Sequence, residues 1–112
     1  MRKILTVNLA VMLSFGAAQA QGITLIGEVN CAQWASARET KTAGGFQDYL
    51  LGFINGLAIG SENDFWVYPN RIEREQVFYW MDQYCAENPL ENVVYGSYAV
   101  FEERFGEDWY RR

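Results

Sequence analysis

The sequence predicts an all-α protein: a small four-helix, disulfide-linked bundle that follows a cleaved signal peptide. Three observations predict this fold class. Apolar side chains recur at helical spacing along the second half of the chain, and asparagines stand where N-caps would begin several of these segments. The chain also contains two cysteines, Cys31 and Cys85, which fall on two different predicted helices.

The first twenty residues have the pattern of an export signal. Two basic residues precede an apolar run from 4 to 15, and alanines occupy positions 18 and 20. Because the apolar run is short for a bilayer-spanning helix, we expect cleavage after Ala20 rather than a membrane anchor. The remaining domain, residues 21–112, is expected to be secreted into the periplasm without stable membrane insertion.

The composition argues against several classes of function. Without the two basic residues of the signal, 7 basic side chains face 14 acidic ones, a net charge of −7. The basic surface that a nucleic-acid partner requires is therefore absent. Histidine, the usual general base and metal ligand, is also absent. No nucleophile elbow, phosphate-binding loop or metal motif is present, so we expect a non-enzymatic protein with no cofactor and no metal.

The two cysteines predict one disulfide. Both lie after the signal, and in a small exported domain a cysteine pair indicates a disulfide with a single possible connectivity. A bridge that closes the loop from 31 to 85 contributes about 4 kcal/mol in the chain-entropy description.

The first predicted helix runs from Cys31 to about Glu39, with Asn30 as its N-cap. Cys31, Trp34 and Ala35 share one face of this helix, so the cysteine is expected to point inward.

The second predicted helix, from 46 to about 61, is nearly apolar all round and is expected at the centre of the bundle. A hairpin turn at 55–56 is the alternative, but the apolar residues do not alternate. Gly52, Gly56 and Gly60 form one stripe on the helix, and each costs about 1 kcal/mol relative to Ala. We expect another backbone to pack against this stripe, either a helix of the same chain, which we favour, or a second subunit of a homodimer.

The last two helices are predicted from their start signals and apolar faces. Asn70 with Glu73 resembles a capping box for the third helix, and Asn88 followed by Pro89 resembles a start for the fourth. The fourth helix is expected to end near 105, where Gly106 provides a stop. The predicted inward faces are Val77, Trp80, Met81, Tyr84 and Cys85 in the third helix, and Leu90, Val94, Tyr98, Phe101 and Phe105 in the fourth.

Aromatic residues outside the predicted helices are the candidate partner-binding residues. Phe65, Trp66 and Tyr68 lie in a loop, and Trp109 and Tyr110 lie in the C-terminal tail. Exposed aromatic clusters are typical of protein contact surfaces. The alternative is that the loop folds back over the open end of the bundle.

The chain resembles the periplasmic acid-stress chaperones of the HdeA/HdeB type. The similar segments are Cys31-Ala32-Gln33-Trp34, Gly52-Phe53 and, most closely, Tyr84-Cys85-Ala86-Glu87-Asn88-Pro89. The resemblance implies a disulfide between the two cysteine helices, and dimers that dissociate in acid and expose apolar surface to unfolded clients. Below about pH 3 the carboxylates approach neutrality, and the charge of the domain moves from about −7 toward +7. Such a protein would be a stress-response holdase.

A second resemblance is to the small periplasmic immunity proteins of type VI secretion systems. These are also exported, helical and disulfide-bonded, and they neutralise a toxin by binding it. This resemblance implies a dedicated protein partner. An acidic surface with exposed aromatic residues would suit a basic toxin.

Overall fold

A computed structural model describes residues 22–111, so the predicted export signal and its cleavage after Ala20 lie outside the described residues. The predicted all-α, disulfide-linked four-helix bundle is confirmed, and within the described range the only β-pairing is an isolated bridge between Asn30 and Asn92. None of the helices in this range is both long and apolar enough to cross a bilayer. The helices are α1 (Cys31–Glu39), α2 (Gly44–Ser61), α3 (Arg74–Glu87) and α4 (Val93–Phe105).

The centre of the bundle is the α3–α4 pair. Helix α3 packs against α1 and α4, and α2 packs against the other side of α4. The expectation that the glycine-rich helix is central is therefore wrong: α2 lies at the edge and buries Leu50 and Ile54. The largest fully buried side chains come from all four helices and from the loop after α2: Trp34, Leu50, Ile54, Phe65, Met81 and Phe101.

The glycine stripe of α2 has no neighbour in the described part of the chain. Gly52, Gly56 and Gly60 are exposed, and a Cβ atom added at any of them would meet nothing within 4 Å. The expected packing of a same-chain helix on this stripe is therefore wrong, because α2 turns its Leu50–Ile54 face to α4 instead.

The start of α1 follows the prediction and is also tied to α4. The side chain of Asn30 accepts a hydrogen bond from the Gln33 backbone N–H (2.8 Å), and Gln33 Oε1 accepts one from the Asn30 N–H (2.9 Å), which completes a capping box. The backbone N–H of Cys31 donates to the Glu91 carbonyl (2.9 Å), which fixes α1 to the segment before α4. Ala35, expected to face inward, is exposed, whereas Ala37 is buried.

The predicted starts of the last two helices are wrong. Glu73, not Asn70, is the N-cap of α3, and its N–H donates to Gln76 Oε1 (2.7 Å). Asn92, not Asn88, caps α4 by accepting from the Tyr95 N–H (3.0 Å).

Asn88 instead ends α3. Both its backbone N–H and its side-chain amide donate to the Tyr84 carbonyl, at 2.8 and 3.0 Å. Leu90 then lies in a turn and is 97% exposed, so its predicted inward position is wrong. The predicted stop of α4 at Gly106 is confirmed.

The α1–α3 contact combines a disulfide with a partly buried carboxylate, that of Asp82. The Cys31–Cys85 disulfide is confirmed, with both cysteines buried. Asp82 of α3 accepts hydrogen bonds from Trp34 Nε1 (2.8 Å) and from Arg38 Nε and Nη2 (2.9 and 2.7 Å). The hydrogen bond to Asp82 raises the pKa of the Arg38 guanidinium, although burial opposes this.

The α3–α4 contact depends on a glycine that the sequence pattern did not single out. Gly96 is buried, and a Cβ atom there would lie 2.6 Å from Met81 Sδ and 3.0 Å from Tyr84 Cδ2. Because Met81 is itself fully buried, its thioether has little room to move away. The absence of a side chain at 96 therefore sets the distance between the two central helices.

We expect Gly96→Ala to destabilise the fold by about 1 kcal/mol, because overpacking outweighs the gain in helix propensity. The matched control is Gly52→Ala on the open face of α2, which should stabilise by up to about 1 kcal/mol. Urea unfolding followed by circular dichroism, with the disulfide oxidised, measures both. A larger loss for Gly52→Ala than for Gly96→Ala would contradict the packing described here.

We expect Asp82→Ala to destabilise the fold by about 2–3 kcal/mol, because the buried indole N–H of Trp34 and the guanidinium of Arg38 lose their acceptor. Glu39→Ala removes an exposed acid from α1 and should change stability by less than about 0.5 kcal/mol. Equal effects of the two substitutions in thermal unfolding would show that the Asp82 interactions add nothing.

Candidate binding surface

A groove of about 530 Å³ opens where α2, α4 and the C-terminal tail (residues 106–111) meet. We call it the aromatic groove. It is open because two of its wall positions are glycines, which contribute backbone only. Its lining residues are Gly56, Leu57, Gly60, Ser61, Tyr98, Glu102, Trp109 and Tyr110.

The tail is held in place by its backbone and by one indole ring. Gly106 adopts a φ of +88°, a conformation that favours glycine, and lets the chain leave α4 and turn back. Asn63 Nδ2 donates to the Trp109 carbonyl (2.8 Å) and to Ser61 Oγ (2.9 Å), which ties the tail to the end of α2. The Trp109 ring lies 4.9 Å from the ring of Phe101, centroid to centroid. The aromatic groove therefore exists in the folded protein without a partner.

Three aromatic rings form one side of the aromatic groove. The Tyr98 and Trp109 ring centroids are 5.9 Å apart, and those of Trp109 and Tyr110 are 5.5 Å apart with their planes nearly perpendicular, at 83°. Tyr110 is 57% exposed, so a large apolar area faces solvent. Such an area favours contact with another molecule.

The charge in the aromatic groove comes from Glu102, which lies one helical turn after Tyr98. Its carboxylate is exposed and makes no hydrogen bond or ion pair with any other residue of the range 22–111. The nearby cation Arg111 is already engaged, since its Nη1 lies 3.8 Å from Asp108 Oδ1 and its guanidinium lies 5.4 Å from the Tyr110 ring centroid. The aromatic groove thus combines apolar rings with one carboxylate that has no ion pair among residues 22–111.

Two of the five aromatic residues predicted for partner binding lie in the aromatic groove: Trp109 and Tyr110. Phe65 does not, and its assignment to an exposed surface is wrong. Its side chain is fully buried, and its ring stacks on Phe101 with centroids 4.7 Å apart. The loop folds back over the bundle at this position because a large apolar ring gains more from burial than from exposure.

The other two predicted residues lie outside the aromatic groove. Trp66 is half-buried, and its indole Nε1 donates to Asn55 Oδ1 (2.9 Å), which attaches the loop to α2. Tyr68 precedes a cis peptide bond to Pro69 and is 64% exposed.

Arg104 of α4 holds this loop from the other side. Its Nη2 donates to the carbonyls of Tyr68 and Asn70 (2.8 Å for Asn70), and its guanidinium lies 5.0 Å from the Phe65 ring centroid. Burial lowers the pKa of the Arg104 guanidinium. These contacts make the loop part of the bundle rather than a free binding element.

The sequence prediction did not find Tyr98 and Glu102 as binding residues. Tyr98 was expected on the inward face of the last helix, yet it is 37% exposed and contacts the tail. The available signal was the four-residue spacing of Tyr98 and Glu102, which places them on one face of a helix. That spacing does not reveal that the tail returns to the same face.

Within residues 22–111, no three potential ligands among His, Cys, Asp and Glu side chains converge to hold a metal ion. The aromatic groove, at about 530 Å³, is the concave surface on which the predicted aromatic residues Trp109 and Tyr110 lie. No protein-family model, curated protein sequence or solved structure matches this chain.

Proposed function

We propose that this chain is an exported, non-catalytic protein that binds a protein partner in the aromatic groove. The observation that carries the proposal is the exposed pair Tyr98 and Tyr110 on either side of the anchored ring of Trp109. Tyrosine and tryptophan dominate the binding energy of protein interfaces because they bury large rigid areas.

The way the tail is anchored supports binding by the folded form. Asn63 and Phe101 hold Trp109 before any partner arrives. A partner then meets rings that are already ordered, so less side-chain entropy is lost on association. This favours a dedicated partner that binds at neutral pH, as the resemblance to immunity proteins implies.

Tyr110→Ala is expected to weaken partner binding at pH 7 by about 2 kcal/mol, or about 30-fold, if Tyr110 is a hot spot. The matched control is Tyr79→Ala, which removes a similarly exposed tyrosine from α3, outside the aromatic groove. Immobilised exported protein would capture a partner from a periplasmic extract, and titration of that partner would give its dissociation constant. A partner retained equally by both variants, or no specific partner at all, would contradict the proposal.

A second candidate function is an acid-activated holdase, as the first resemblance implies. The observation in its favour is that two contacts between helices end on carboxylates. Asp82 joins α3 to α1 through Trp34 and Arg38, and Glu103 of α4 accepts a hydrogen bond from Trp80 Nε1 of α3. Both hydrogen bonds are stronger for a charged acceptor than for a neutral one, and the disulfide would still link α1 to α3 if they were lost. Opened helices would expose the aromatic core to clients.

The holdase candidate predicts that the protein suppresses aggregation of an acid-labile test enzyme at pH 2.5 but not at pH 7. The double variant Asp82→Asn, Glu103→Gln lacks the charged acceptors, so its helices are held together more weakly. It should therefore lose near-ultraviolet circular dichroism at a higher pH than wild type when the protein is acidified. A control pair, Glu39→Gln with Glu75→Gln, changes the net charge equally at exposed positions. A wild-type protein that stays folded and inactive at pH 2.5 would rule out this candidate.

A further inference from the structure

We propose that the aromatic groove binds the cationic side chain of a lysine or arginine from a basic protein, with Tyr98, Trp109 and Tyr110 contacting the cation and Glu102 neutralising it. This inference rests on the proposed function and names the chemistry of the partner. It is carried by three rings and one carboxylate, unpaired within the described part of the chain, that line the same groove.

The ring geometry suits a cation. Cations bind to proteins over the faces of tryptophan and tyrosine, within about 6 Å of the ring centroid. Trp109 and Tyr110 meet at 83° and so form a corner that offers ring surface in two directions. The guanidinium of the adjacent Arg111 lies 5.4 Å from the Tyr110 ring centroid, which is within this distance. A second cation arriving from the groove would meet the same chemistry.

Glu102 favours a cationic occupant of the aromatic groove over a purely apolar one. An apolar segment that filled the aromatic groove would take the Glu102 carboxylate out of water without giving it a partner, which is unfavourable. A lysine or arginine side chain covers the rings with its apolar stem and brings a positive charge to the carboxylate. Gly56 and Gly60 leave room for that stem, since nothing lies within 4 Å of a Cβ atom built at either.

The charge of the whole domain argues for a basic partner rather than a second copy. Residues 21–112 carry a net charge of −7. A second copy would bring another Glu102 and a second net negative charge to the contact, whereas a basic protein would be attracted over a distance. Charge complementarity therefore selects a basic segment as the occupant.

The test uses the exported, disulfide-bonded protein and three ten-residue peptides of glycine and serine with two central lysines, two central acetyl-lysines or two central norleucines. We expect the lysine peptide to shift the indole N–H resonance of Trp109 in a saturable way, and to bind at least tenfold more tightly than the other two. Raising the salt concentration from 50 to 300 mM should weaken the lysine peptide selectively.

Variants at exposed positions separate the role of the Glu102 carboxylate from that of the Tyr110 ring. Glu102→Gln should weaken binding of the lysine peptide about tenfold, and Tyr110→Ala should weaken it by a similar factor. Glu39→Gln removes an equal charge from α1 and should have no effect. Both changed side chains in the aromatic groove are exposed, so the fold is expected to persist, and circular dichroism checks this.

Equal binding of the lysine and norleucine peptides would overturn this inference in favour of an apolar occupant. Equal weakening by Glu102→Gln and Glu39→Gln would overturn it in favour of non-specific attraction. Self-association that Tyr110→Ala abolishes would assign the aromatic groove to a second copy. If a captured partner depends on Tyr110 but no peptide shows a charge preference, the cation inference fails while the proposed function stands. If neither partner capture nor peptide binding depends on Tyr110, the cation inference and the proposed function both fail.

Discussion

The ring of Phe101 supports two segments that lack helical structure of their own, the loop after α2 and the C-terminal tail. It lies on α4, stacks on Phe65 of the loop after α2, and contacts Trp109 of the tail. A loop and a short tail cannot bury enough area to order themselves, so they depend on this buried ring. The aromatic groove also depends on Phe101, because the Trp109 ring that Phe101 contacts lies between Tyr98 and Tyr110. The core of the bundle and the candidate binding surface are thus continuous.

The sequence predicted the helices well where local chemistry was unambiguous. Asn30 directly precedes the first helix, and Gln33 stands at the position that completes the capping box, so this cap could be recognised from local sequence. Asn88 followed by Pro89 has the local pattern of a helix start, but contacts with distant residues place the start of α4 after Asn92. The Val93 N–H donates to the Val29 carbonyl (2.9 Å), and this pairing fixes α4 to start after Asn92. Local patterns contain no information about such a contact.

The candidate site was predicted only in part for the same reason. Trp109 and Tyr110 stood out as aromatic residues beyond the last helix, but Tyr98 and Glu102 gained their role only because the tail folds back over α4. Phe65 was misassigned because burial of a loop residue depends on a ring 36 positions away, Phe101. Each of these outcomes follows from a long-range contact around Phe101, whereas the confirmed helix ends follow from contacts within one turn.

Gly96 differs from Gly56 and Gly60 in its surroundings: one is tightly packed and the other two face open space. Gly96 is required because two packed helices meet there. Gly56 and Gly60 have no neighbour, yet each lowers helix stability by about 1 kcal/mol relative to alanine. Small domains have little stability to spare, although the disulfide contributes about 4 kcal/mol here. An alanine at 56 or 60 would place a methyl group on the wall of the aromatic groove. If the groove has to stay open for a partner, that requirement explains why glycines are kept at both positions despite their lower helix stability. Gly52 lies beyond the groove, and nothing in the structure explains it.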